Sequence, residues 1–383
     1  MASTKLKLLV DVHSHVYLPR YTALLRSRSS VPLIKSLSTP DGKAEDRLLI
    51  LENEPSGGRP VGPQYWDRNE KLKFMDKHGI DVTVVSTANP WLDFLPPPDA
   101  QKLALELNED LEEYCSTSPK LANAQIPRLY GFGLLPLVPN VSVESVLASV
   151  NQVSQLPHLR GVIMGTRGVG KGLDDPALDP VWSAIEKAGL VVFVHPHYGV
   201  DAKAWGDIDN GHVLPLALGF PFETTTLPGK AITRLILAGV LDRFPLLKLL
   251  LAHSGGALTA LSSRLSSCIV HDPVVASRLE HDARYYIGKL YLDAVAYGPE
   301  ELGFASEAVA RSSRYKTGAQ ETATQTPLDV KRSLGSKRML FGTDHPFFPP
   351  LSSTEKWKSV VENLQAIEDV QGWSNADKDG QSV

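Results

Sequence analysis

"KLKLLVDVHSHVY", Lys5 to Tyr17, is a short apolar run that leads directly into two histidines. Its length and its Leu and Val content read as a buried strand. Side chains alternate along a strand, so His13 and His15, two apart, project to the same side. Two imidazoles on one face at a strand end can grip a metal ion, although an isolated H-x-H is also a common accident of surfaces and cores.

The same pattern recurs along the chain. Apolar runs appear at "DVTVVST" from Asp81, "YGFGLLPL" from Tyr130, "GVIMGT" from Gly161 and "LVVFVHPH" from Leu190. They continue with "LKLLLAHSG" from Leu247, "LYLDAV" from Leu290 and "RMLFGTDH" from Arg338, giving eight in all. Between most of them lie segments of helical period, such as "PVWSAIEKAG" and "AITRLILAGVLDRFP". Continuous apolar strands alternating with helices imply a parallel sheet covered on both faces. The polar residues ending these runs (His13 and His15, Asn89, Thr166, His195 and His197, His253, Asp293, Asp344) favour closure. A (β/α)8 TIM barrel builds its site from the C-terminal ends of separate strands. An open sheet would not bring its first and eighth strands together. The expectation is an α/β chain forming one barrel domain over residues 1–383.

Composition narrows the function. The 383 residues are 43% hydrophobic and 21% charged, an ordinary globular balance, with a formal charge of -4. That offers no basic surface for nucleic acid. No run approaches a membrane span, and the N-terminal apolar stretch is too short for a secretory signal, so a cytoplasmic protein is expected. Cys115 and Cys268 are too few for a disulfide framework and read as reduced, partly buried thiols.

Other stretches stand apart from the repeat. Residues 20 to 70, rich in Ser, Pro and Gly, read as a long loop inserted after the first strand. "RSSRYKTGAQETATQTPLDVKR", Arg311 to Arg332, reads as a disordered surface excursion. Trp205 belongs to a further loop that could cover the barrel mouth. "GTRGVGKG", Gly165 to Gly172, approaches a phosphate-binding loop, but Gly172 replaces the metal-binding hydroxyl and "LDDPALDP" follows where a helix should open. It is better read as the turn leaving the fourth strand.

The metal reading strengthens when His195, ending the fifth strand, and Asp344, ending the eighth, join His13 and His15. Three neutral nitrogens and one carboxylate suit Zn2+ or another divalent transition ion, with room for a further ligand. His197 shares a face with His195, but His195 ends the apolar run directly and is preferred. His253 reads either as a hydrogen-bonded core histidine or as a proton carrier beside the metal.

"DVHSH", "HPH", "AHSGG" and "GTDHPFFPP" together resemble the metal-dependent amidohydrolase superfamily. Within it they resemble the branch of aminocarboxymuconate-semialdehyde decarboxylase and its non-oxidative decarboxylase relatives, from about residue 7 to residue 350. "TANPWLDFL", "GKGLDDP", "HPHYG", "HVLPLALGFPFETT" and "SCIVHD" are most similar to the fungal uracil-5-carboxylate (isoorotate) decarboxylases of that branch. The resemblance implies a metal held by His13, His15, His195 and Asp344, with His253 beside it. It implies substrate contacts from Arg59 and Asn89, with Phe347 stacked on the ring. It also implies that Arg264 reaches a neighbouring subunit's site, hence a homodimer. The fourth strand lacks the lysine that bridges two metals in many members of the superfamily, so one divalent ion is expected, Zn2+ or alternatively Mn2+. Relatives usually run past the eighth strand into a last helix and an Asn-Ala segment with a nearby Arg. This sequence ends at "WSNADKDGQSV", a departure that bears on the closing helix.

The implied reaction is loss of CO2 from a planar (hetero)aromatic acid, with uracil-5-carboxylate giving uracil. Asp344, assisted by His253, would protonate the ring carbon that bears the carboxylate. Three alternatives stand beside it: decarboxylation of 6-methylsalicylate on the same machinery, metal-dependent hydrolysis of a lactone or amide, and a non-enzymatic binding protein on a barrel.

Overall fold

The computed structural model describes residues 7–38, 42–50, 52, 57–122, 124–197, 220–317, 326–350, 352 and 355–380. Each of the eight expected runs is a strand: β1 (Val10–Val16), β5 (Val82–Thr87), β6 (Leu129–Leu134), β7 (Leu159–Met164), β8 (Val191–Val194), β9 (Lys248–Leu251), β10 (Tyr291–Asp293) and β11 (Met339–Leu340). They form one sheet in chain order, every neighbouring pair parallel. The sheet closes on itself. Val12 N donates to the Phe341 carbonyl at 2.9 Å and His15 N to the His345 carbonyl at 2.7 Å. The eight-stranded barrel is therefore complete, and the ends of its first and last strands share one mouth.

Burial explains why these runs hold this form. All six residues of β5 are buried, as are Val192, Phe193 and Val194 of β8. A strand covered on both faces by barrel interior and outer helices cannot carry an alternating polar face. Packing leaves no spare room at Gly161 of β7, where an added Cβ would stand 2.0 Å from the Val191 carbonyl oxygen. Gly161→Ala is expected to force β7 and β8 apart and to cost about 1–3 kcal/mol or more. A melting temperature equal to that of the parent would refute this.

Residues 20 to 70 correct the expectation of a long loop. They form the helix Pro19–Ser27 and an antiparallel sheet of β2 (Leu33–Ser38), β3 (Ala44–Leu49) and β4 (Arg59–Pro60). The helices Pro63–Trp66 and Arg68–His78 follow. A small apolar set sufficed: Leu25 and Leu48 are fully buried and Ile34 nearly so. The Ser, Pro and Gly content concealed that anchor. The insertion carries Arg59 to the barrel mouth.

The expected excursion at 311–332 is likewise ordered at both ends. A 3-10 turn spans Ser312–Tyr315, with the Arg284 guanidinium 3.8 Å above the Tyr315 ring, and the helix Leu328–Ser336 begins within it. Trp205 lies outside the described residues. A closing helix is present: Lys358–Asp369 follows the last strand, and Trp373 beyond it is buried with its indole N–H 3.2 Å from Ser306 Oγ. Of the two thiols, Cys115 is buried and Cys268 is exposed, which corrects the expectation for the latter. Among the described residues no helix is long and apolar enough to cross a membrane.

Candidate metal centre

The alternation of β1 sends its residues two ways. Ser14 faces the helix Arg68–His78, where it accepts a hydrogen bond from Lys71 Nζ at 2.7 Å, and His13 and His15 face the mouth. His13 is fixed from behind, its Nδ1 lying 2.6 Å from Asp293 Oδ2 on β10. Its Nε2 consequently points inward, 3.0 Å from His15 Nε2 and 3.3 Å from Asp344 Oδ1. His15 Nδ1 pairs with Ser86 Oγ of β5 at 3.1 Å, and its Nε2 is also 3.3 Å from Asp344 Oδ1. Beyond β8, His195 Nδ1 donates to the Pro196 carbonyl at 2.9 Å, leaving a lone pair on Nε2. That atom is buried and has no hydrogen-bond partner among the described residues. His253, just after β9, brings Nε2 to 3.6 Å from Asp344 Oδ2.

His253 (φ 55°) and Asp344 (φ 54°) both hold left-handed backbone, which non-glycine residues rarely adopt. Such conformations persist where surrounding structure enforces them, often at functional sites. Here Asp293 is the enforcer for His253: its carboxylate accepts from the backbone N–H of His253 at 3.0 Å and of Ser254 at 2.9 Å while orienting His13.

Ligand atoms of His13, His195, His253 and Asp344 all lie within 4.8 Å of one another, and His15 Nε2 joins them at the distances above. The structure thus gathers every expected ligand, and it places His253 within the same reach. The donor chemistry suits a divalent ion. The rear nitrogens of His13, His15 and His195 are each engaged, which fixes the inward nitrogens as donors. Burial lowers His15 to about 4 and holds His195 well below its usual range, so both are neutral. For Asp344 burial acts upward, but the imidazoles of His13, His15 and His253 outweigh it and hold the carboxyl well below the usual carboxylate range.

His13 behaves oppositely. Burial alone would lower it, yet the carboxylates of Asp344 and Asp293 prevail and push it to about 10. A ligand must be deprotonated before it binds metal. Binding at pH 7 is therefore expected to release about one proton, and affinity should climb roughly tenfold per pH unit below about 10. Calorimetric titration with Zn2+ in buffers of different ionisation heat measures this, and zero proton release would mean that His13 is already neutral in the free protein.

The expected substrate contacts gather on the His15 side. Phe347 meets the His15 ring edge-on at 5.5 Å, and the Arg59 guanidinium lies 4.5 Å above the Phe347 ring. Arg59 Nη2 donates to the Tyr17 hydroxyl and, at 3.0 Å, to the Asn89 carbonyl. Asn89 Nδ2 donates to the Pro196 carbonyl at 3.2 Å, while its buried Oδ1 has no hydrogen-bond partner among the described residues. His197 is engaged elsewhere, with Nε2 2.9 Å from Asp93 Oδ2 and Nδ1 accepting from Thr166 N at 3.1 Å. Arg264 is exposed on the outer side of the helix Leu258–Val270.

A supporting network escaped the sequence reading. Lys71, fully buried, donates to the His15 carbonyl at 3.1 Å and lies 2.5 Å from His345 Nδ1. Asp11, also fully buried, takes the Thr343 hydroxyl at 2.8 Å. Asp11 left a usable signal: it stands two residues before His13, on the same side of a strand that buries its side chains. Lys71 left none, since "DRNEKLKFMDKHG" has the composition of a solvated helix.

An eight-stranded parallel barrel with imidazoles and a carboxylate converging at its C-terminal mouth defines a barrel enzyme built around a divalent-metal site. The chain belongs to the Amidohydrolase family, whose model matches residues 10–371. Among solved structures it is similar to the IDCase of Metarhizium anisopliae in apo form, at 37% identity and a TM-score of 0.80, covering 100% of this chain and 96% of that one. It is 28% identical to the 2-amino-3-carboxymuconate-6-semialdehyde decarboxylase of Dictyostelium discoideum, over 76% of this chain and 69% of that protein. It is 25% identical to the gamma-resorcylate decarboxylase of Rhodococcus jostii, over 79% of this chain and 87% of that protein.

Proposed function

We propose that this chain is a metal-dependent, non-oxidative carboxy-lyase acting on a planar aromatic or pyrimidine carboxylic acid, with uracil-5-carboxylate as its substrate and uracil as product. The observation that carries the reading is the full-length, 37% identical match to the Metarhizium IDCase, a name that abbreviates isoorotate decarboxylase. Decarboxylases among the other relatives support the same reaction class. Gamma-resorcylate and uracil-5-carboxylate share a carboxylate beside a ring carbon that bears an exocyclic oxygen, the pair of donors that a mouth of this kind can hold in one orientation.

His13, His15, His195 and Asp344 would hold one divalent ion, and the imidazole-rich donor set favours Zn2+ with Mn2+ as the alternative. When bound, the ion supplies Lewis-acid binding of the carboxylate and its neighbouring exocyclic oxygen. Arg59 and Asn89 orient the polar edge of the ring, and Phe347 covers its face. Direct loss of CO2 would leave a carbanion in the ring plane, so protonation of the carboxylate-bearing carbon comes first. Asp344 is ionised in the free chain, and the proton it delivers arrives through His253, 3.6 Å away. CO2 then departs and the ring regains its conjugation. Arg264 serves a partner subunit's site in a homodimer, and the enzyme works in the cytoplasm on a small acid without nucleic acid or membrane.

Incubating Zn2+- or Mn2+-loaded protein with uracil-5-carboxylate, and in parallel with 6-methylsalicylate, tests the reading. Equal amounts of uracil and CO2 are expected. Cresol with CO2 instead would keep the reaction and change the substrate. Hydrolysis of a lactone or amide without CO2 would overturn the reaction class.

A further inference from the structure

The expected substrate contacts do not occupy the large space beside the metal centre. A cavity of about 680 Å3 begins at His253 and Asp344 and runs the other way, toward the helices Pro299–Ala310 and Lys358–Asp369. Arg59, Asn89 and Phe347 are absent from its described lining. Its walls are mainly apolar: Ala260 in the first turn of the helix Leu258–Val270, Ala305 and Phe304 on the helix Pro299–Ala310, and Val295 after β10. Charged Glu301, Lys358 and Glu362 also line it. Ser359 lines it with a side chain only 1% exposed, whose hydroxyl has no hydrogen-bond partner among the described residues.

Drug-sized ligands fill pockets of roughly 300–1,000 Å3, mostly apolar with a few polar groups. A bare pyrimidine or benzene ring held over Phe347 would leave this space empty. We infer that the cavity is a second lobe of the substrate site and receives an apolar arm carried on the ring of the aromatic acid. Beside an unsubstituted ring such as that of uracil-5-carboxylate, the site thus admits aromatic acids that bear such an arm, with the carboxylate at the metal centre. This rests on the decarboxylase reading, since it assigns the acid's head group to that centre.

Calorimetry on the Mn2+-loaded full chain tests it with 2-hydroxybenzoic acid and its pentyl derivatives at ring positions 4, 5 and 6. Each methylene placed in an apolar pocket is worth about tenfold or more in discrimination. At least one pentyl acid should bind tenfold or more tightly than the parent acid. Ala305→Phe and Ala260→Trp, which build into the lobe from two different helices, should abolish that gain. Ala260 is exposed, so the second variant guards against misfolding of the first. No gain from any arm, or a gain that survives both substitutions, overturns the inference. So does a change in sedimentation with unaltered affinities, which would assign the space to contact between copies. CO2 release from the same acids and from uracil-5-carboxylate is scored separately. A binding gain without CO2 from any acid would uphold the lobe and discard the decarboxylase, whereas CO2 from the unsubstituted acid with no binding gain would do the reverse.

Discussion

Asp344→Asn is expected to reduce decarboxylation by about 10²–10⁴-fold at the least, the usual worth of a positioned proton donor. The change keeps the side chain's shape and removes its charge. One oxygen of this carboxylate lies 3.3 Å from the Nε2 atoms of both His13 and His15, and the other faces His253 at 3.6 Å. On the proposed mechanism, the amide would therefore remove a ligand and the last carrier of the proton at once. Metal content separates the two losses. Protein that retains its ion yet turns over no acid isolates the proton role, whereas protein that loses both reports the ligand. Turnover close to the parent's would eliminate Asp344 from the mechanism.

Lys71→Met is expected to cost about 1–3 kcal/mol of stability or more, the range for leaving buried polar groups without their partner. The ammonium is fully buried and joins Ser14, the His15 carbonyl and His345. Methionine fills the space and satisfies none of them. Burial pushes Lys71 down to about 7, partly opposed by Asp11. A lysine whose folded value lies below its unfolded one binds fewer protons when folded, so its contribution to stability rises with pH between about 7 and the usual 10.5. The difference in thermal midpoint between parent and variant should widen from pH 7 to pH 9.5. A midpoint difference that is small and flat with pH would mean that Lys71 does not brace the ligand strand.

The barrel was legible because closure demands continuous apolar strands, and those runs need no context to be recognised. The candidate ligands were legible because a histidine or aspartate at the end of such a run is seldom needed there for packing alone. Two kinds of feature stayed hidden. In β2 and β3, "LIKSLS" and "AEDRLL", most of the polar side chains reach solvent, so only the buried Ile34 and Leu48 distinguish the sheet from a loop. Lys71 illustrates the second kind: its neighbours Ser14, His15 and His345 come from the opposite ends of the chain, and no local pattern encodes such a meeting. The 680 Å3 lobe is of that kind too, since its wall is shared among helices far apart in sequence.

The seam between β1 and β11 joins positions 331 apart, as in the bond from Ser14 to His345. A nascent chain cannot complete this metal site until residue 344 has left the ribosome, because Asp344 is the last of the candidate ligands in chain order. Contacts of such long sequence separation form slowly. An ion that recognises only the finished arrangement stabilises it by mass action and leaves shorter chains untouched. Metal uptake would then serve as a clasp on a completed ring, and a chelator would first open the molecule along the seam of β1 and β11.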